Sequence, residues 1–275
     1  MARVAILGAG DLGGAIAQRL AERARVGAVC LIDEAAGVAA GKALDIRQSG
    51  PVLRSDVHVT AESDVLAAVG AAVIVLAGDV GGGEWTGARG LSLIEKLERA
   101  GSRSPLVFAG PGQAELMEAC AAKLGVAANR MMGTAVGATV GAARALAGAE
   151  IDQSGVDVSI ALAGRPPSLV IGWSAARVGG TLLSERLPAH RMLAISSTIG
   201  RLWPPGPHAI ASATAPVVEA LVAGSRRQHQ ALAILEGEYG VRGIAAMLLL
   251  TLGHGRILDR REPTLSPRER VSVGF

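Results

Sequence analysis

The stretch ILGAGDLGGAIAQRL, residues 6–20, joins an apolar strand pattern, a glycine-rich turn and the start of a helix. Gly8, Gly10 and Gly13 have the spacing G-x-G-x-x-G. In such a motif the first glycine permits a tight turn, the second admits a pyrophosphate, and the third lets the helix pack closely on the strand. Because the turn follows a strand and opens a helix, the stretch predicts a dinucleotide-binding site at the helix N-terminus.

An acidic residue follows the second apolar run. Asp33 is the last residue but one of the segment GAVCLIDE, residues 27–34, and lies twenty positions beyond Gly13. A carboxylate there accepts hydrogen bonds from the ribose hydroxyls of NAD and repels the extra phosphate of NADP. The alternative interpretation is that Asp33 caps the helix that follows. With the glycine motif in place, the pattern favours a cofactor site for NAD.

The first half of the chain alternates short strand patterns with helical ones, which predicts a parallel sheet covered on both faces. Strands are expected at residues 3–10, 27–34, 56–61, 71–78 and 104–112, and helices at residues 12–24, 35–50, 90–101 and 113–125. The second half has paired strand patterns at 156–164 and 169–183, a helix at 213–224, and several short antiparallel strands within 230–260. It predicts a mixed second domain, with the boundary near Gly133.

Composition excludes several classes of function. The chain has 275 residues, of which 50% are hydrophobic and 19% charged, and a formal net charge of +3. The basic residues are scattered and not interleaved with aromatic ones, which argues against nucleic-acid binding. The mean hydropathy of +0.39 indicates either a large core with a subunit interface or an alanine-rich bias.

No apolar run is long enough to span a bilayer as a helix, and the N-terminus has no signal-peptide pattern. Cys30 and Cys120 lie in apolar runs, which predicts buried thiols in a reducing compartment. We therefore expect a cytoplasmic protein. The histidine and cysteine spacings suggest no metal site.

Several segments together resemble the malate/lactate dehydrogenase family, most closely its lactate-dehydrogenase-like malate dehydrogenases. They are GAGDLGG, LIDEAAGVAAGKALDI, VIVLAG, GVAANRMMGT and LEGEYGVRGI, in family order over nearly the whole chain. The resemblance implies an N-terminal Rossmann domain with a doubly wound parallel sheet, residues 1–133. It also implies a mixed α+β catalytic-type domain, residues 134–275, that lacks most of the family's last helix. NAD is the implied cofactor, a 2-hydroxy acid the substrate and a dimer or tetramer the assembly; the residues expected at the cofactor are Gly8, Gly10, Asp11, Leu12, Gly13, Asp33, Ala77 and Gly78.

The chain departs from the family where proton transfer takes place. The family's histidine position, in the segment AGRPP, holds Arg165, and the position of its partner aspartate holds Gly141. Arginine stays protonated at physiological pH and cannot accept the hydroxyl proton. Gly110 stands where the family has an asparagine that orients nicotinamide and substrate. Gly81 stands at the first arginine position of the mobile loop.

Four residues remain as candidates for the substrate site. Arg144 matches the arginine that grips the substrate carboxylate, although it could instead be a surface or ion-paired arginine. Arg89 is a candidate for the second loop arginine. Arg165 either adds a second positive charge to an anion site or points to solvent beside two prolines. His208 is a weak candidate for a replacement proton-transfer group.

Three hypotheses follow. The first is an NAD-binding family member whose 2-hydroxy-acid dehydrogenase activity is lost or strongly altered, acting as a pseudoenzyme, a sensor of a small anionic metabolite, or a subunit. As a subunit it would form a homo-oligomer, or a hetero-oligomer with an active relative. The second is an active NAD-dependent dehydrogenase with a substituted proton-transfer group. The third is a non-catalytic structural subunit.

Overall fold

The structure, a computed structural model, describes residues 2–274 of the chain. The helices are α1 Asp11–Arg23, α2 Ala36–Leu53, α3 Gly87–Arg99, α4 Ala114–Leu124, α5 Ala135–Glu150, α6 Ala189–Arg201, α7 Pro207–Ala223 and α8 Pro267–Val273. The strands are β1 Arg3–Leu7, β2 Ala28–Ile32, β3 His58–Glu62, β4 Val73–Leu76, β5 Leu106–Phe108, β6 Met131–Gly133, β7 Val158–Ser159, β8 Leu162–Arg165, β9 Ser168–Ile171, β10 Arg177–Val178, β11 Thr181–Leu182, β12 Gln228–Glu236, β13 Arg242–Gly253 and β14 Arg256–Arg261.

The large sheet has the strand order β3-β2-β1-β4-β5-β6, continued by β12-β13-β14. The first six strands are parallel, and the last three are antiparallel to their neighbours. The order reverses between β1 and β4, which makes the sheet doubly wound as the sequence predicted. In such sheets the crevice at the reversal, outside the carboxyl ends of the strands, is the usual place for a ligand.

Both faces of the sheet are buried, as expected for parallel strands with near-continuous apolar sequences. In β1, Val4 and Ile6 pack into one core with residues of α1, α2 and α7. Ala5 and Leu7 pack into the opposite core with residues of α3, α4 and α5. The alternation of side chains along the strand divides the apolar residues between the two faces.

The second half is more regular than the sequence predicted. The segment expected to form several short strands contains the nine-residue β12 and the twelve-residue β13. Their middle residues are buried on both faces, so the glycines near the turns do not interrupt them. Helices α5 and α6 were not predicted; α5 is rich in alanine and glycine, which hides its periodicity.

The boundary near Gly133 coincides with a continuous part of the sheet. Leu232 of β12 pairs with Gly133 of β6, so strands from both halves of the chain share one sheet. Helix α7 from the second half packs against α1 from the first. The division into two domains at this residue stays a prediction.

Cys30 and Cys120 are buried and form no disulfide, as the sequence predicted. Burial raises the pKa of both thiols, and that of Cys120 reaches about 12. No helix among the described residues is long and apolar enough to cross a membrane.

Candidate functional site

The glycine turn between β1 and α1 has the geometry that its motif predicts. Gly8 has φ +104°, a backbone conformation that side chains disfavour, and its N–H donates to the Ile32 carbonyl at 2.7 Å. A Cβ at Gly13 would lie 1.9 Å from the Gly8 carbonyl oxygen. These two glycines therefore let the strand, the turn and the helix pack together.

The N-terminus of α1 opens into a cavity. The first intrahelical hydrogen bond runs from the Gly14 N–H to the Gly10 carbonyl at 2.9 Å, and no side chain caps the helix. The preceding N–H groups, including those of Asp11 and Leu12, have no partner one turn earlier in the helix. Asp11 and Leu12 line a cavity of about 330 Å³ at this point. Such a helix end is suited to bind a phosphate or another anion.

Gly10 packs against the backbone that follows β4. Its N–H donates to the Gly78 carbonyl at 3.0 Å, and a Cβ at Gly10 would lie 2.3 Å from the Asp79 carbonyl oxygen. Because Gly10 has no side chain, the backbone after β4 can lie close to it. Ala77 is fully buried, so a cofactor would meet the segment at Gly78 and not at the Ala77 side chain.

Asp33 lies at the end of β2 and is only 6% exposed. Its Oδ2 accepts hydrogen bonds from the N–H groups of Ala9 at 2.8 Å and Val80 at 3.0 Å, and its Oδ1 accepts one from Ala35 at 2.9 Å. A carboxylate offers about four acceptor positions, so about one remains for a ribose hydroxyl. The bond to Ala35 at the start of α2 also fits the alternative interpretation of Asp33 as a helix cap.

A glycine-rich loop crosses the cleft at Asp33. Asp79 accepts a hydrogen bond from Gly83 at 2.8 Å and forms an ion pair with Arg89 at 2.6 Å. Burial raises the pKa of Asp79, but the hydrogen bonds from Arg89 and Gly83 outweigh burial and lower the pKa below its usual value. Val80 binds Asp33, so this loop separates the cavity at α1 from smaller cavities beside Asp33.

Arg89 is held on the Asp33 side of that loop. Its guanidinium lies 4.2 Å from the centre of the Trp85 ring and is bound to Asp79. Trp85 is buried and donates through Nε1 to the Leu7 carbonyl at 3.0 Å. Arg89 and Asp33 line the same cavity of about 250 Å³, so Arg89 does not face the cavity at α1.

Arg165 is engaged in a structural ion pair. It ends β8, and its Nη1 lies 2.5 Å from Oε1 of Glu118 on α4. The same oxygen accepts the Ala245 N–H of β13 at 2.8 Å. The interpretation of a solvent-facing arginine does not match this arrangement, since Glu118 joins β8 to α4 and the large sheet. Gly141 is exposed, with open space around the position of a Cβ.

Arg144 projects from α5 towards the loop that follows it. Its Nε donates to the Gly155 carbonyl at 3.1 Å and its Nη2 to the Val156 carbonyl at 2.6 Å. The Nη1–Nη2 edge of the guanidinium stays available for a carboxylate. Arg144 lines a cleft of about 220 Å³ with Val156 and Gln230. The three candidate arginines thus have separate partners, and none of them lines the cavity at α1.

His208 lies in the first turn of α7 and is exposed. It lines a larger cavity of about 520 Å³ between α1, α2 and α7, which also contains Lys42 and Asp45. His208 is not among the residues that line the cavity at the α1 N-terminus. Its position therefore gives no support to a role in proton transfer. The described residues contain no cluster of three or more side chains suited to bind a metal.

Two residues at Gly110 were missed by the sequence analysis. Oε2 of Glu84 accepts the Gly112 N–H at 2.9 Å and would lie 2.6 Å from a Cβ at Gly110. Gln113 is 1% exposed, its Oε1 accepts the Gly110 N–H at 2.9 Å, and its Cδ would lie 2.9 Å from the same Cβ. Glu84 also lines the cavity at α1. The sequence signal that could have identified Glu84 is an acidic residue directly after a run of three glycines.

Similarity to known proteins covers nearly the whole chain. No model of a known protein family matches it. The malate dehydrogenase of Thermomicrobium roseum is 27% identical over 98% of this chain and 93% of its own length. That of Dehalococcoides mccartyi is 28% identical over 94% of this chain and 90% of its own length.

Solved structures have the same fold. The malate dehydrogenase of Salinibacter ruber superimposes with a TM-score of 0.87 at 24% identity, covering 98% of this chain and 92% of its own. The lactate dehydrogenase of Cryptosporidium parvum, solved with lactic acid and nicotinamide adenine dinucleotide, superimposes with a TM-score of 0.89 at 20% identity. That alignment covers 99% of this chain and 93% of the other.

Proposed function

We propose that the chain is a member of the malate/lactate dehydrogenase family that binds NAD without the family's usual 2-hydroxy-acid dehydrogenase activity. In this proposal the protein is cytoplasmic and acts as a cofactor or metabolite sensor, or as a subunit of an oligomer. The ion pair of Arg165 with Glu118 carries the proposal.

The proton-transfer argument rests on the chemistry of two positions. Arg165 cannot accept a proton near neutral pH, and its guanidinium is bound to Glu118. Gly141 has no side chain to orient a base. A positioned acid–base group contributes about 100- to 10,000-fold in rate, and the family's two residues act as one unit. Turnover of ordinary 2-oxo acids should fall by at least this factor.

Three features support binding of NAD. The Gly8 turn and the uncapped α1 helix suit a pyrophosphate, with Leu12 at the helix end and Gly78 opposite. Asp33 retains about one acceptor position for a ribose hydroxyl and would repel the extra phosphate of NADP. The Val80 N–H donates to Asp33, so the loop that contains Val80 lies between the cavity at α1 and Asp33. The adenosine part of NAD must extend across this loop to reach Asp33. Bound NAD would supply the hydride acceptor for a dehydrogenase reaction.

The deciding experiment measures cofactor binding and turnover separately. NADH binding is followed by its fluorescence, and NADH oxidation is followed with oxaloacetate and with pyruvate. We expect binding of NADH and turnover at least about 100-fold below that of the Thermomicrobium roseum malate dehydrogenase under the same conditions. Turnover equal to that of the relative would overturn the proposed loss of activity, and a folded protein that binds no NADH would favour the structural subunit.

The second candidate is an active dehydrogenase with a substituted proton-transfer group. The observation that favours it is Glu84, whose carboxylate reaches the cavity beside Gly110. If 2-oxo acids are turned over and Glu84→Gln abolishes turnover while His208→Ala does not, this candidate replaces the first. Equal activity of both variants would leave neither group as the replacement.

We also propose that the chain associates with itself or with a relative through the outer side of α2. Gly41, Leu44 and Val52 are exposed there, and Leu44 and Val52 are 44% and 85% exposed. Exposed apolar side chains beside small residues suit the packing of another helix. An assembly of this kind would account for the high mean hydropathy.

A further inference from the structure

The Asp79 loop, residues 79–84, follows β4 and is held in place by contacts on two sides. The Val80 N–H donates to Oδ2 of Asp33 at 3.0 Å. The Asp79 carboxylate is paired with Arg89, whose Nη1 lies 2.6 Å from Oδ2. One contact joins the loop to the end of β2 and the other joins it to α3. The loop therefore has a defined position across the proposed cofactor cleft.

Val80 lies between two cavities of the cleft. It lines the cavity of about 330 Å³ at the α1 N-terminus and also the cavity of about 250 Å³ beside Asp33. Its side chain packs against the apolar core on the α1 side of the sheet. A dinucleotide with its pyrophosphate at α1 and its adenosine ribose at Asp33 has to occupy both cavities at once. In the position that the structure shows, the Asp79 loop therefore obstructs the cleft between its two ends.

The Asp33 carboxylate already binds three backbone groups. It is buried and accepts the N–H groups of Ala9, Ala35 and Val80. Ala35 is two residues away in the chain, whereas Val80 is 47 residues away and belongs to the loop. A ribose has neighbouring hydroxyls, and about one of the four acceptor positions of the carboxylate remains for them. Release of the Val80 N–H would provide another, so Val80 competes with the ribose for Asp33.

The ion pair of Asp79 with Arg89 gives the loop an alternative. Arg89 lies 4.2 Å from the centre of the Trp85 ring and lines the cavity beside Asp33. Opening of the loop would separate Asp79 from Arg89 and leave the guanidinium facing this cavity. A ligand that carries phosphate groups gains a cation in this way, which favours the open position over the closed one. Three consecutive glycines, residues 81–83, can absorb the change in backbone angles.

We propose that the Asp79 loop is autoinhibitory: the Val80 N–H occupies an acceptor position on Asp33 that the ribose of NAD requires, and the ion pair with Arg89 holds the loop there. NAD binds only to the open position of the loop, so its apparent affinity is reduced by the fraction of molecules that are open. A hydrogen bond to a charged acceptor shifts such an equilibrium by about tenfold or more. The inference rests on the proposed function in taking Asp33 as the ribose acceptor.

The first test changes the donor on the loop. Val80→Pro removes the N–H that Asp33 accepts, whereas Val80→Ala shortens the same side chain and keeps the N–H. NADH affinity is measured by fluorescence titration, and thermal unfolding shows that each variant is folded. We expect Val80→Pro to bind NADH at least about tenfold more tightly than the wild type. Val80→Ala should change the affinity by less than about threefold.

The second test measures the opening of the loop directly. In stopped-flow fluorescence, the observed rate of NADH binding by the wild type should reach a plateau as the NADH concentration rises, because opening limits it. Asp79→Asn weakens the pair with Arg89 and should raise this plateau by about threefold or more. Asp11→Asn is the charge-matched control: its side chain lines the same cavity at α1 but is 96% exposed and lies outside the loop, so the plateau should stay unchanged.

The outcomes separate the inference from the proposed function. If the folded wild type and both loop variants, Val80→Pro and Asp79→Asn, bind no NADH, the proposed function fails and the inference fails with it. If the wild type binds NADH without a plateau in rate, and Val80→Pro has the same affinity, the inference alone is overturned. Binding that appears only in the loop variants supports both. Should Val80→Pro not fold, the plateau of Asp79→Asn decides, and a value equal to that of the wild type overturns the inference.

Discussion

At the scale of single residues, Arg165 forms an ion pair with Glu118 at the position where the family resemblance implied a histidine. The guanidinium is part-buried and shares Oε1 of Glu118 with the backbone N–H of Ala245. A charge held in this way connects β8, α4 and β13. The ion pair thus stabilises the fold at the position where the family resemblance implied a proton-transfer residue.

Replacing Glu118 by glutamine tests the structural role of the pair. We expect Glu118→Gln to lower the free energy of unfolding by about 1 kcal/mol, because it leaves Arg165 without its close partner at a part-buried site. Urea unfolding measures the change. Glu115→Gln is the matched control: that carboxylate lies 4.0 Å from the same arginine but its side chain is 88% exposed, so its loss should cost below about 0.3 kcal/mol. Equal effects of the two variants would contradict the assignment.

At the scale of elements, the backbone of β1, the glycine turn and α1 packs tightly at the proposed cofactor site. Gly13 and Gly14 are adjacent in α1, yet only Gly13 is surrounded by backbone. A Cβ at Gly13 would lie 1.9 Å from the Gly8 carbonyl, whereas one at Gly14 would lie 3.4 Å from the Lys42 side chain. The motif glycine is therefore required by the contact between strand and helix.

The two glycines give a matched pair of variants. Gly13→Ala should destabilise the protein by about 3 kcal/mol or more and weaken NADH binding, because the turn must move to admit the methyl group. Gly14→Ala should change the free energy of unfolding by less than about 1 kcal/mol, in the stabilising direction, since alanine favours a helix over glycine. Thermal unfolding and NADH fluorescence measure both effects. A tolerated Gly13→Ala would show that the turn is not tightly packed.

Helix α4 carries a buried thiol whose ionisation opposes folding. Burial raises the pKa of Cys120 from 9.0 to about 12. Below pH 9 the thiol is protonated in both states, so its contribution to stability is fully present; between pH 9 and 12 the unfolded chain loses the proton first, and stability falls. We expect the free energy of unfolding to decrease more steeply above pH 9 in the wild type than in Cys120→Ala, by up to about 1.4 kcal/mol per pH unit. Parallel urea-unfolding curves against pH for the two proteins would contradict this.

At the scale of the whole molecule, the three candidate arginines lie at separate places in the fold and do not share one cleft. Arg144 faces the loop after α5, Arg165 faces α4, and Arg89 stacks on Trp85. The charged residues that line the cavity at α1 are all carboxylates. Arg89 and Arg165 are paired with carboxylates, whereas Arg144 binds backbone carbonyls. Among these three arginines, Arg144 is therefore the one whose charge is left for the small anionic ligand suggested by the sequence.

The outer side of α2 gives a prediction for the assembly. Light scattering should find a mass of at least two chains, and Leu44→Glu should shift the protein towards the monomer, because a buried unpaired carboxylate at a helix interface is costly. Leu193→Glu on α6 is the control, since Leu193 is more exposed, at 71%, but lies on another surface. A wild-type monomer, or dissociation by both variants alike, would contradict an interface on α2.

Most of the fold was determined by local sequence patterns. The glycine spacing at Gly8 and Gly13 predicted the turn that opens α1, and the alternation of apolar runs with helical periods predicted the parallel sheet and its covered faces. These features depend on backbone geometry and on which side chains are apolar, and both are visible in one stretch of chain. Helix α5 was missed because alanine and glycine leave little contrast between its faces.

The character of the site was decided only by the tertiary structure. The resemblance implied that Arg165, Gly141 and Gly110 stand at positions where the family has other residues, but the sequence did not indicate that Glu118 binds Arg165 or that Glu84 lies over Gly110. Each of these contacts joins residues that are distant in the chain, and its energy depends on burial and on the geometry of several elements at once. The sequence by itself determines which residues are charged and how far apart they lie in the chain, whereas the packing of the elements decides which partner each charge has.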